Sequence, residues 1–158
     1  MNVWPPAIVL FLSVASHAQG ITGPTDVELK AAYCIPVLQA NIKMVAEFSE
    51  KLVGSTNDVD RRVLGQLAES RTKLDDDLKR VRAYVLPKLA GSNGGEYLTG
   101  FSAATQRGNA DVEASKAAVT RCGAACPQID LQCVQACLAR NPANLRVQVC
   151  HAIDWLPF

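Results

Sequence analysis

Cys122-Gly123-Ala124-Ala125-Cys126-Pro127-Gln128-Ile129-Asp130-Leu131-Gln132-Cys133-Val134-Gln135-Ala136-Cys137 holds four of the chain's six cysteines, in the pattern C-x3-C-x6-C-x3-C. A four-residue step sets two thiols on one helix face, a turn apart, with nearly parallel Cα–Cβ directions. Such a pair bonds poorly to itself, because a disulfide needs Cβ atoms that face each other across about 4 Å. It bonds well to a second helix that presents the same step. Pro127 stops one helix and Asp130 can cap the next. The stretch therefore predicts an αα-hairpin closed by nested bridges, Cys126 to Cys133 inside and Cys122 to Cys137 outside. Cys34 and Cys150 remain, and a bridge between them would tie the first helix to the last. Six cysteines admit other connectivities; the nested one is the geometric preference.

The twin C-x3-C step is similar to that of the disulfide-stapled helical hairpins of the mitochondrial intermembrane space. The similarity covers Cys122 to Cys137 only, and the segment between the two steps is shorter here, so it is a likeness of geometry. Insect odorant carriers are likewise small, all-α and six-cysteine proteins with a C-x3-C step. Their later spacings differ, and the interval from Cys34 to Cys122 is far longer here. No family follows from either likeness.

Upstream of the hairpin the pattern is helical throughout. Thr25-Asp26-Val27-Glu28 forms a capping box, in which hydroxyl and carboxylate each satisfy the other residue's backbone N–H. Behind it Val27, Ala31, Cys34, Leu38, Ile42, Val45, Phe48 and Leu52 recur at helical spacing, predicting a helix over about residues 26–53 that Pro36 kinks or divides. Asn57 caps the next. There Leu64, Leu67, Arg71, Leu74, Leu78, Val81 and Val85 alternate steps of three and four, a seam with one polar member. That helix is expected to reach Pro87 or Leu89. Its opposite face carries Asp60, Arg61, Arg62, Glu69, Lys73, Asp75, Asp76, Asp77, Lys79, Arg80 and Arg82, with Asp75–Lys79 and Asp76–Arg80 as i,i+4 pairs. Arg71 either snorkels at the edge of the bundle or keys a buried acid.

Gly91-Ser92-Asn93-Gly94-Gly95 is a flexible joint. A short helix over about 96–106 would bury Leu98 and Phe101, and Arg107-Gly108-Asn109 would break it. Asn109 would then cap a helix to about Ala125, Asp130 one over Leu131 to Arg140, and a last helix would span Ala143 to Leu156 on a stripe of Leu145, Val149 and Ile153. No stretch alternates for long enough to make a strand. The fold class is all-α: a disulfide-stapled antiparallel helical bundle with two long helices and a C-terminal Cys-rich αα-hairpin.

Residues 1–18 have the form of a secretory signal. Ala7 to Ala15 is an apolar run too short to cross a bilayer, and Ser16-His17-Ala18 offers small residues for cleavage before Gln19. The run lacks a preceding Lys or Arg, which leans towards a eukaryotic export route. The expectation is one helical domain over 19–158, exported into an oxidising space and secreted (periplasmic if bacterial), with no membrane span and no N-glycan acceptor.

Composition narrows function. Sixteen basic residues against fifteen acidic leave a formal charge of +1, without the field or basic stripe of a nucleic-acid binder. Four thiolates on the hairpin could hold a zinc or copper ion, but exported cysteines in even number more often oxidise. Cys150-His151 points its two side chains to different sides of a helix, against a nucleophile–base pair. Asp75, Asp76 and Asp77 fan out over about 200° of helix and cannot converge on calcium. No acid pair stands out for glycosidase work, and the Gly91–Gly95 segment lacks the strand and lysine of a phosphate loop. Trp155-Leu156-Pro157-Phe158 is an apolar tail, expected to pack over the bundle near Cys150 or to serve as a docking patch. The reading is a secreted, non-enzymatic binding protein without cofactor, its partner a protein surface or a small apolar ligand. The alternatives are a carrier with a cavity lined by the Leu/Val seam, and an exported metal-binding or redox protein using Cys122, Cys126, Cys133 and Cys137.

Overall fold

Thr25 opens the first helix through its capping box. Its Oγ1 accepts from the Glu28 N–H at 3.3 Å, and the Glu28 carboxylate accepts from the Thr25 N–H at 2.8 Å. The computed structural model describes residues 23–91, 94–126 and 130–157. The expected leader, residues 1–18, lies outside them, as do Ser92, Asn93, Phe158 and the hairpin turn Pro127, Gln128 and Ile129. Helix α1 (Asp26–Leu52) passes through Pro36 as one helix and is not divided there. Proline offers no N–H to the Ala32 carbonyl four residues back; that oxygen instead accepts from Thr105 Oγ1 of the third helix at 3.5 Å. A partner from outside the helix makes the missing bond tolerable.

Helix α2 (Asp58–Gly91) begins where Asn57 Oδ1 accepts from the Val59 N–H at 2.8 Å. It continues past Pro87 to Gly91, with Pro87 facing solvent and Leu89, two residues on and across the helix, packed against the core. The seam is buried only in its second half, at Leu78, Val81 and Val85, with Leu74 partly covered. Arg71 is exposed, its Nε 4.0 Å from Asp75. Two details of the charged face need correction. The pairs are i,i+3, Asp76 with Lys79 at 3.0 Å and Asp77 with Arg80 at 3.7 Å. Asp77 is buried, 6% exposed, because it stands one turn before Val81 at the margin of the seam.

Helix α3 (Gly95–Ala125) is one continuous helix, not two pieces broken at residues 107–109. Asn109 is thus interior and caps nothing. The two glycines that weaken the helical pattern are contact points: a Cβ at Gly100 would come within 2.7 Å of Pro24 Cγ, and one at Gly108 within 2.8 Å of Pro36 Cγ and against the Tyr33 carbonyl. Phe101 is buried but Leu98 is half exposed. Helix α4 (Leu131–Ala139) starts at Asp130, whose Oδ1 accepts from the N–H groups of Gln132 and Cys133, both at 3.0 Å. Asn141 caps α5 (Pro142–Gln148), which ends well short of the expected Leu156. The stripe of Leu145 and Val149 stays exposed, and Ala143, Val147 and Cys150 turn inward instead. Beyond α5 the chain folds back in turns closed by His151 N–H to Gln148 O and Leu156 N–H to Ile153 O, each 3.0 Å. Ile153 and Leu156 thereby enter the core, and this part of the apolar tail packs over the bundle.

Helix α1 is the central element, packed against α2 and α3, while α4 and α5 return along α3. α2 runs antiparallel to α1, so that Lys88 near its end meets Glu28 near the start of α1 at 2.7 Å. α3 runs parallel to α1. The core gathers at the N-terminal half of α1, where Ala31, Ala32, Cys34 and Leu38 are fully buried. Three disulfides brace it: Cys34–Cys150, Cys122–Cys137 and Cys126–Cys133. The result is a disulfide-stapled all-α bundle. No helix among the described residues is long and apolar enough to cross a membrane.

Candidate binding groove

The close contact of Gly108 with Tyr33 and Pro36 sets where α1 and α3 touch and where they part. One turn further along, Asp111 projects from α3 and joins three elements. It accepts from the Tyr33 hydroxyl of α1 at 3.1 Å and from Arg146 of α5 at 2.8 Å (Nε) and 2.6 Å (Nη2). The two-pronged guanidinium contact fixes orientation as well as charge. Donation by Arg146 holds the Asp111 carboxyl below its ordinary range. Burial, reinforced by the bond to Asp111, pushes the Tyr33 phenol up to about 12. α5 is thereby pinned across the line between α1 and α3.

C-terminal to this pin an open groove of about 360 Å³ lies between the two helices, with α5 closing one end. Val37, Val112 and Val147 form its buried floor. Met44 and Val119 stand on its walls, 59% and 49% exposed. Lys43, Glu47 and Lys116 make a rim of both signs. Asn41, Ser115, Asn144 and His151 supply polar atoms along the edge. Ser115 Oγ donates to Asn144 Oδ1 at 3.3 Å, and Asn41 Nδ2 lies 3.4 Å from His151 Nε2. The groove is a concave apolar strip with a wet, charged border, a shape suited to holding a nonpolar body.

Of the residues singled out from sequence, His151 lies on the groove's edge and the six cysteines lie elsewhere. Cys122, Cys126, Cys133 and Cys137 staple α3 to α4, and Cys34 and Cys150 tie α1 to the segment after α5. No cysteine is free, so metal binding through thiolates would require the bridges to be reduced. The buried half of the α2 seam, Leu78, Val81 and Val85, is spent on the core, and no seam residue lines the groove. Sequence reasoning missed the groove's floor and the Asp111 pin. A second apolar stripe on α1, through Tyr33, Val37, Ala40 and Met44, is the signal that could have found the floor: a helix apolar on two faces has two neighbours. Comparison with known proteins finds no matching family model, no matching curated protein and no matching solved structure.

The pin has a pH signature. The Asp111 carboxyl is held lower in the folded than in the unfolded chain, so its contribution is present above the ordinary carboxylate value and lost as pH falls through the folded one. The Tyr33 phenol is raised, so its contribution is full below about 10 and lost as pH climbs towards about 12. Thermal midpoints measured from pH 2 to 7 should fall less steeply on the acid side in Asp111→Asn than in the parent. An unchanged acid slope would remove Asp111 from this account.

Proposed function

We propose that the protein is an exported, non-enzymatic binding protein whose α1/α3 groove seats the apolar face of a helix from a partner protein. The observation that carries this reading is the groove itself: a nonpolar floor and two half-exposed apolar walls inside a charged rim. Its length, Val37 to Glu47, is roughly 15 Å of helix, about the reach of apolar anchors at i, i+3 or i+4, and i+7 on a docked helix. Its openness favours a protein occupant over a lipid-like ligand, which would keep much of its chain in water. Three disulfides suit an oxidising compartment, and the leader form of residues 1–18 supports export.

The test places a photo-activatable methionine at position 44 of the protein expressed in its secreted form. One discrete protein adduct, lost in the Val119→Asp variant, is the expected result. An adduct to lipid alone would replace the reading by the carrier alternative, and no specific adduct would defeat both. Intact mass of the secreted material checks the export half: cleavage before Gln19, and a gain of two hydrogens per bridge on reduction.

A further inference from the structure

On the other side of the Asp111 pin the same two helices border a second, shallower recess, of about 480 Å³, with a different chemistry. Its nonpolar wall comes from Leu29, Tyr33, Ala104 and Ala110. Three cationic side chains, Lys30, Arg107 and Arg146, and one carboxylate, Asp111, also face it. Arg146 and Asp111 neutralise each other in their two-pronged pair. That leaves Lys30 and Arg107, and among the described residues no carboxylate lies in ion-pair range of either. Lys30 is held in place, its Nζ 4.2 Å from the centre of the Trp155 ring, and a cation over an aromatic face loses less freedom on binding than one on a free stem.

We propose that this recess is a site for a small organic anion, a carboxylate on a flat nonpolar body. Arg107 takes the carboxylate through its planar fork, Lys30 adds a second charge, and the body lies against Leu29, Tyr33 and the two alanines. The site is separate from the groove, so it stands whether or not a partner helix docks there. The anion would touch α1 and α3 together, beside the residue that pins α5.

The probe is 2-naphthoate, titrated into the mature protein by calorimetry beside its neutral amide. Saturable binding of the acid, with the amide at least about tenfold weaker, is expected from the value of a charge-assisted pair. Arg107→Gln and Lys30→Gln should each weaken naphthoate about tenfold, and Arg107→Glu should abolish it. Arg107 is exposed and Lys30 half-buried, and neither belongs to the core, so circular dichroism of each variant should match the parent. Met44→Lys, in the groove, should leave naphthoate binding unchanged. Equal affinity for acid and amide, absence of saturable binding, or indifference to both charge substitutions would overturn the site.

Discussion

Replacing Cys34 and Cys150 together by alanine is expected to lower stability by about 4–5 kcal/mol, the chain-entropy value for so long a loop. The bridge spans 116 residues and ties the central helix to the last segment of the core. The hairpin bridges close 15 and 7 residues, for which the same relation gives about 3 and about 2 kcal/mol. Both sulfurs of the long bridge are fully buried, so truncation also leaves unfilled space in the core. For a domain of this size the loss corresponds to roughly 10–15 °C in the thermal midpoint. Changing both cysteines at once avoids leaving a buried thiol. The comparison protein is the Cys126→Ala/Cys133→Ala variant, melted under the same conditions. A larger drop in that variant would mean that the hairpin, and not the tie between α1 and the C-terminal segment, is the principal covalent brace.

The parts of this fold legible in the sequence are those decided by neighbours in the chain. Thr25, Asn57 and Asp130 start helices because a side-chain oxygen reaches an N–H two or three residues on. The hairpin staples were legible for a related reason: the C-x3-C step has a direction as well as a spacing. What sequence reasoning missed depends on residues far apart. Gly108 looks like a helix breaker until Tyr33 and Pro36, more than seventy positions earlier, are laid against it. Asp77 looks like one more solvent carboxylate until the margin of the seam covers it. Asp111 and Arg146 meet across 35 residues, with no local pattern to announce them. The groove follows from the same non-local contact, because it begins where the glycine-permitted approach of α1 and α3 ends. The secretory leader and the partner belong to the proposal.

Three of the four glycines of α3, Gly100, Gly108 and Gly123, should therefore respond to alanine in three different ways, with Gly108 the most severe. A Cβ at Gly108 would meet the Tyr33 carbonyl oxygen and, at 2.8 Å, the Pro36 ring. One is backbone and the other a ring fixed to it, so neither can rotate aside, and α1 and α3 must move apart along their most tightly packed stretch. Gly108→Ala should cost about 3 kcal/mol, overpacking outweighing the gain of up to about 1 kcal/mol from better helix propensity. Gly100→Ala meets Pro24 at 2.7 Å and Leu29 at 3.5 Å, but Pro24 precedes α1 and the chain there can shift, so a smaller loss is expected. Gly123→Ala meets nothing within 4 Å and should stabilise by about 0.5–1 kcal/mol. Denaturant melts of the three variants give the order directly. The pivot role has a second readout. Prising the helices apart at Gly108 should also stretch the Tyr33–Asp111 bond, moving the Tyr33 phenol back towards its ordinary value from about 12, which an ultraviolet titration follows. A Gly108→Ala protein as stable as the parent, with the tyrosine titration unmoved, would mean that α1 and α3 do not approach through this glycine and that the groove beside it has another origin.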